Sequence, residues 1–139
     1  MDARSSGDAV SANPTLTRWN TLHAATATAE ILPCCGSRNW ANSLAAERPF
    51  DGLSALLRAS DRIWRELSEA DWLEAFACHP RIGSCKSATH ASHQAATWSK
   101  QEQSSTQTAP DQTLSHLAAL NAQYEDCFDF TYIDRKSVV

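Results

Sequence analysis

The stretch FACHPRIGSCKSATHASHQAATWSKQEQ, residues 76 to 103, gathers three of the chain's five histidines and two of its five cysteines. It closes on Ser99, Glu102 and Gln103. Two chemistries compete for these residues. His90 and His93 stand three apart and can share a helical face, with Cys78, His79 and Cys85 near in sequence, a set that zinc would accept in kind. The ligands do not form two compact pairs at short spacing, however, and a lone HxxH is a weak signal. No metal is expected, and His90 and His93 read as solvated positions on a polar helix. The second chemistry is proton transfer. His79 falls at a helix end set by Pro80, with Arg81 beside it and Gly83 loosening the backbone. Imidazole titrates near neutral pH, which suits general acid–base work. Ser99 and Glu102 are again three apart, so both can face one cavity, flanked by Trp98 and Gln103.

The elements that must hold these side chains read as helices. Few β-branched residues and only four glycines argue against a large sheet. TATAEILPCCGS predicts a helix stopped near Pro33 and a turn at Gly36-Ser37. Trp40, Ala41, Leu44 and Ala45 mark the apolar stripe of the next helix, which ends before Arg48-Pro49. Asp51 is expected to cap a third, with Leu53, Leu56, Leu57, Ser60, Ile63, Trp64 and Leu67 along one face. Ser68 and Asp71 have the spacing of a capping box, opening a helix that carries Trp72, Leu73 and Phe76 inward. A polar helix over about 88 to 105 and a last one capped by Asp111, through Leu114, Leu117, Ala118, Asn121 and Tyr124, complete an all-α domain of six or seven short helices. The expected organisation is a flexible leader over 1–15, the helical domain over 16–133 and a divergent short tail over 134–139.

The chain is 139 residues long, enough for one core, with 42% hydrophobic and 20% charged residues. A net charge of −4 offers no basic stripe, so neither nucleic acid nor an anionic membrane is an expected partner. No apolar run approaches a membrane span, and residues 1–15 lack the apolar core of a secretory signal. Five cysteines with the adjacent pair Cys34-Cys35 make a poor disulfide framework, so reduced thiols and a cytoplasmic location are expected. Cys34 and Cys35 read as small buried hydrophobes.

Taken in order, CCGSRNWA, RPF, EADWLEAFACHPRIG, WSKQEQ and LAALNAQYEDCF closely resemble the 2-oxo-4-hydroxy-4-carboxy-5-ureidoimidazoline (OHCU) decarboxylase family of purine catabolism, from about Leu22 to Phe130. The segment HPRIG preceded by DWLEAF is its most specific part. The resemblance implies an all-helical fold, usually a homodimer, that needs no metal or organic cofactor. It implies decarboxylation of the ureidoimidazoline formed from urate, giving (S)-allantoin. On the matching positions, His79 and Glu102 are the implied catalytic residues. Pro80, Ser99 and Gln103 line the implied substrate site, and Phe130 to Ile133 fall near a strand-like turn whose backbone contacts substrate.

The chain departs from the family pattern in two places. Ser104-Ser105 stand where the family tends to carry a small residue and glycine. After FDF the family continues into a helix bearing a substrate-binding arginine, whereas here TYIDRKSVV follows. The expectation is therefore a C-terminally truncated or frame-altered member with impaired activity. The alternative is a catalytically inactive helical domain that dimerises or binds a partner.

Overall fold

The computed structural model describes residues 13–83 and 93–133, without the side chains of Ala95, Ser99, Glu102, Ser105 and Gln107. Seven α-helices occur in chain order, and no strand is present among the described residues: α1 Pro14–Thr21, α2 Ala24–Ile31, α3 Arg38–Ala46, α4 Leu53–Glu66, α5 Glu69–Ala77, α6 His93–Glu102 and α7 Asp111–Phe128. Short 3-10 turns cover Leu32–Cys34 and Ser104–Thr108.

Each helix start has a local cause. Asn13 caps α1, its side-chain oxygen accepting the Leu16 N–H at 3.1 Å, and Pro14 takes the first helical position, where no N–H is needed. That start lies two residues inside the segment assigned to the leader. Ser37 caps α3 by accepting the Trp40 N–H. The Ser68–Asp71 capping box at α5 is complete: the serine oxygen accepts the Asp71 N–H, and the aspartate accepts the Ser68 N–H.

The core is built by α1 to α4. Leu16, Trp19, Ala27, Trp40, Ala41, Leu44, Ala45, Ala59 and Ile63 form one buried cluster. The four residues of the α3 stripe are all buried, as their spacing predicts. Trp19 is the hub. Its indole N–H donates to the Ala27 carbonyl at 3.0 Å, its ring stacks on Phe50, and the Arg48 guanidinium lies 5.0 Å over its face. Arg48 also donates to the carbonyls of Trp19 and Leu22, binding the chain after α3 to the end of α1.

Five expectations are corrected. Gly52 rather than Asp51 stands at the start of α4, with no side-chain cap. Leu53, Leu57 and Leu73 are exposed. The buried line of α4 runs through Leu56, Ala59 and Ile63, and Leu57 is turned about 120° from Ile63 at 100° per residue. The small Ala59 is buried in the cluster to which α1, α2 and α3 also contribute. The polar helix predicted over 88–105 is α6 followed by the 3-10 turn; its residues 88–92 lie outside the described ones. Pro110 rather than Asp111 precedes α7, so Asp111 is its first helical residue, where a carboxylate still favours the helix N-terminus. Cys34 and Cys35 depart as well: Cys34 is exposed and Cys35 half-buried, because the Leu32–Cys34 turn runs along the edge of the core.

Candidate acid–base site

Helix α5 carries the candidate histidine, and α3 holds α5. The Arg38 guanidinium pairs with Glu74 at 2.6 Å, and the Asn39 amide donates to Asp71 at 2.6 Å. Gly36, at φ +89°, lets α5 come close: a Cβ there would meet the Cys78 Cβ at 2.7 Å. On the other face Phe76 packs against Trp64 of α4 and Phe130, with ring centroids 6.3 and 5.4 Å away.

His79 follows directly where α5 stops. Cys78 caps the helix, its N–H bonding Ala75, while the His79 N–H donates to Phe76. Pro80 cannot continue the ladder. The imidazole folds back, placing Nδ1 3.0 Å from the Ala75 carbonyl oxygen. A carbonyl only accepts, so Nδ1 carries the proton in this contact, and in the neutral ring Nε2 is left with its lone pair. The ring is thus oriented, and His79 is exposed. A proton taken up or released at Nε2 is the chemistry this arrangement provides.

The loop after His79 is pinned at three successive residues. The Arg81 guanidinium makes a two-pronged ion pair with Glu125 of α7, Nε to Oε1 at 2.7 Å and a second contact to Oε2. The Asn121 side-chain amide donates to the Ile82 carbonyl at 3.0 Å. The Gly83 N–H donates to the Gln103 side-chain oxygen at 2.9 Å. Gly83 sits at φ +77° against Leu117 and Leu114 of α7, a conformation that glycine takes without Cβ strain. The Glu125 carboxyl is held below the usual carboxylate range, first by its hydrogen bond to Arg81.

Of the residues singled out by sequence, His79 and Pro80 lead into this loop and Gln103 bonds its Gly83; no direct contact between Gln103 and His79 is seen among the described residues. Ser99 and Glu102 lie on α6, their side chains outside the described ones; Cys85 and His90 lie outside the described residues altogether. Ile133 is exposed, just beyond Tyr132, whose ring meets Tyr124 of α7 edge-on at 5.2 Å. Phe130 to Ile133 run as irregular backbone rather than as a strand. His93, the first residue of α6, is exposed, and among the described residues no three His, Cys, Asp or Glu side chains gather as a metal would require. Arg81 is paired as a structural partner would be. Burial pushes the Cys78 and Cys35 thiols up, which keeps them protonated and poorly nucleophilic. Asn121 and Glu125 were not singled out as site residues by their types; the signal for Asn121 is a polar residue in an otherwise apolar helical stripe.

An all-helical domain presenting one oriented, exposed imidazole at a helix terminus defines a class of site suited to proton transfer. The particular family is given by comparison: the OHCU decarboxylase family model matches residues 20–135. The chain belongs to that family, a family of carboxy-lyases. The match reaches past Phe130 to Arg135, the second residue of the segment read as a divergent tail. The chain is also similar to the uric acid degradation bifunctional protein TTL of Arabidopsis thaliana, 31% identical over 100 residues, which is 72% of this chain and 31% of that protein. The chain thus spans about a third of the length of this curated relative.

Proposed function

We propose that the chain decarboxylates 2-oxo-4-hydroxy-4-carboxy-5-ureidoimidazoline to (S)-allantoin in urate degradation, with His79 as the acid–base residue and Glu102 as its catalytic partner. The observation that carries this reading is the Nδ1 contact of His79 with Ala75, which leaves Nε2 as the working nitrogen, inside the span that matches the family. The substrate bears a carboxylate on a hydroxylated ring carbon next to a conjugated imine. As the C–C bond to the carboxylate breaks, CO2 leaves and its electron pair forms a double bond to the neighbouring imine carbon, whose nitrogen takes a proton. The resulting enol then gives up its hydroxyl proton to become the ring carbonyl, and the former imine carbon takes the proton that sets the product's configuration. His79 Nε2 manages the hydroxyl proton. Glu102 binds ring or ureido N–H groups and assists proton delivery to one face, which yields one enantiomer. Pro80, Ser99, Gln103 and the backbone at Ile133 complete the substrate site. The ring's own conjugation accepts the charge, so no cofactor is assigned.

The domain over 16–133 acts as a homodimer in this reading, supported by the exposed apolar side chains of Leu53, Leu57, Leu120 and Phe128. A cytoplasmic location is supported by the free thiols of Cys34, Cys35, Cys78 and Cys127. No helix of the described residues is long and apolar enough to cross a membrane.

The test is the decay of freshly generated ureidoimidazoline, followed by circular dichroism of the allantoin product. The wild-type chain accelerates it with (S)-allantoin as product. His79→Asn keeps the shape of Nδ1 but removes Nε2, and loses about 100-fold or more of the acceleration. Equal rates in wild type and His79→Asn overturn the assignment of His79.

A further inference from the structure

We propose that α7 positions the candidate catalytic histidine through two side chains one turn apart, Asn121 bonded to the Ile82 carbonyl and Glu125 paired with Arg81. This inference rests on the assignment of His79 to acid–base work and adds two residues that touch neither His79 nor any reacting atom.

Asn121 carries the argument. Along α7 the inward positions are Leu114, Leu117, Asn121 and Tyr124, a spacing of three, four and three residues. Apolar side chains fill this stripe except at Asn121, which is the buried residue of the helix, at 6% exposure. Burying an amide costs free energy unless it is hydrogen-bonded, and leucine in that place would add apolar contact instead. What the amide gains is the Ile82 carbonyl at 3.0 Å, three residues after His79. Glu125, four residues on and so on the same face, holds Arg81, two residues after His79. Leu117, four residues before Asn121, packs where Gly83 turns. One face of α7 therefore touches Arg81, Ile82 and Gly83 in succession.

The consequence for His79 follows from where it sits. It is beyond the last helical residue of α5, so its backbone is not fixed by the helix ladder on its C-terminal side. Its conformation is set by the Ala75 carbonyl behind it and by the path of Pro80 to Gly83 ahead. Releasing that path lets the residue turn and weakens the Nδ1 contact that decides which nitrogen is free. Asn121 and Glu125 are thus positioning residues, and their loss should show in the tautomer of His79 and in kcat more than in KM.

The experiment measures both. Nitrogen-15 NMR of the imidazoles, with His79 assigned by its disappearance in His79→Asn, reports the tautomer without any substrate. In the neutral wild-type ring, His79 is expected as the Nδ1–H form. Asn121→Leu matches the volume, orphans the Ile82 carbonyl, and is expected to give a mixture of tautomers and a kcat lower by about 10- to 100-fold, with KM changed by less than about threefold. Glu125→Gln keeps shape and removes charge at a partly exposed site, so the same changes are expected at about threefold in kcat. If Asn121→Leu fails to fold, Glu125→Gln alone decides the question by the same two readouts. A folded variant with wild-type tautomer and wild-type kcat overturns the proposal. If the wild-type chain shows no turnover, the proposed function fails, and the tautomer still decides whether α7 positions His79.

Discussion

The two halves of the molecule are held together differently. From α1 to α4, side chains meet in one buried apolar cluster around Trp19, with Ala27 and Ala41 at 0% exposure. From His79 onward, beside Leu114 and Leu117 at Gly83, the contacts are an ion pair, two hydrogen bonds between amide side chains and loop backbone, and an aromatic group of Tyr124, Phe128, Phe130 and Tyr132. Apolar burial is summed over many atoms and tolerates the loss of no large ring. Polar anchors hold direction more than they hold energy, because most of each bond is repaid by water on opening. The stable half thus carries the fold, and the anchored half holds a side chain at an angle. Regions with few buried contacts open locally at lower cost, which suits a surface that must admit a ligand.

The difference is broken most severely from the first half. Trp19→Ala removes the stacked ring, the surface under Arg48 and the bond to Ala27 together. It is expected to cost about 3–5 kcal/mol, measured by urea unfolding. Because α5 is carried on this core, the loss should appear in probes of both halves at once. A transition confined to α1 and α2 would show instead that the halves unfold separately.

Next in size is the contact that joins the core to the site. Gly36→Ala meets two obstacles: a backbone at φ +89° and a Cβ 2.7 Å from that of Cys78. Left-handed backbone costs a non-glycine residue about 1–2 kcal/mol, and the steric contact adds to it. The expected loss is about 2 kcal/mol or more in urea, with the His79 imidazole signals shifted because α5 is displaced. An unchanged His79 with the full stability loss would sharpen the division, placing Gly36 wholly on the side of the fold.

What the sequence reveals follows the same line. The α3 stripe of Trp40, Ala41, Leu44 and Ala45 was legible because four apolar residues at helical spacing can bury only one way. The Ser68–Asp71 box was legible because it closes within four residues. The face of α4 was read about half a turn too wide, since which of Leu57 and Ala59 turns inward depends on the cluster formed with α1, α2 and α3, and that is not a property of α4. Of the site, His79 and its loop were marked by a proline and a glycine that constrain backbone. Asn121 and Glu125 were not, because their partners Ile82 and Arg81 are 39 and 44 positions away. A hydrogen bond across that separation leaves only an oddity, an asparagine among leucines.

The smallest expected effect separates the halves by pH. Glu30 in the first half and Glu125 in the second are both held below the usual carboxylate range, each first by a hydrogen bond to an arginine, Arg18 and Arg81. A carboxylate whose folded value is depressed binds a proton more readily when unfolded. Its stabilisation is therefore complete above the unfolded value and drains away as pH falls through the folded one. Stability should decline on acidification below the ordinary carboxylate range, and both pairs contribute to that slope. Both arginines are more than half exposed, so each pair is screened, and the Arg81–Glu125 pair should contribute less than ~1 kcal/mol. Global unfolding will barely register it. Hydrogen exchange resolves it by place: on acidification, once the intrinsic rate is corrected for, amides around Gly83 and Asp129 should lose protection before those of α3. In Glu125→Gln that local loss should already be present at neutral pH and should no longer depend on pH in this range. Equal loss around α3 and α7 on acidification would mean that the two halves open as one, and that the polar anchors of α7 are not a separate layer.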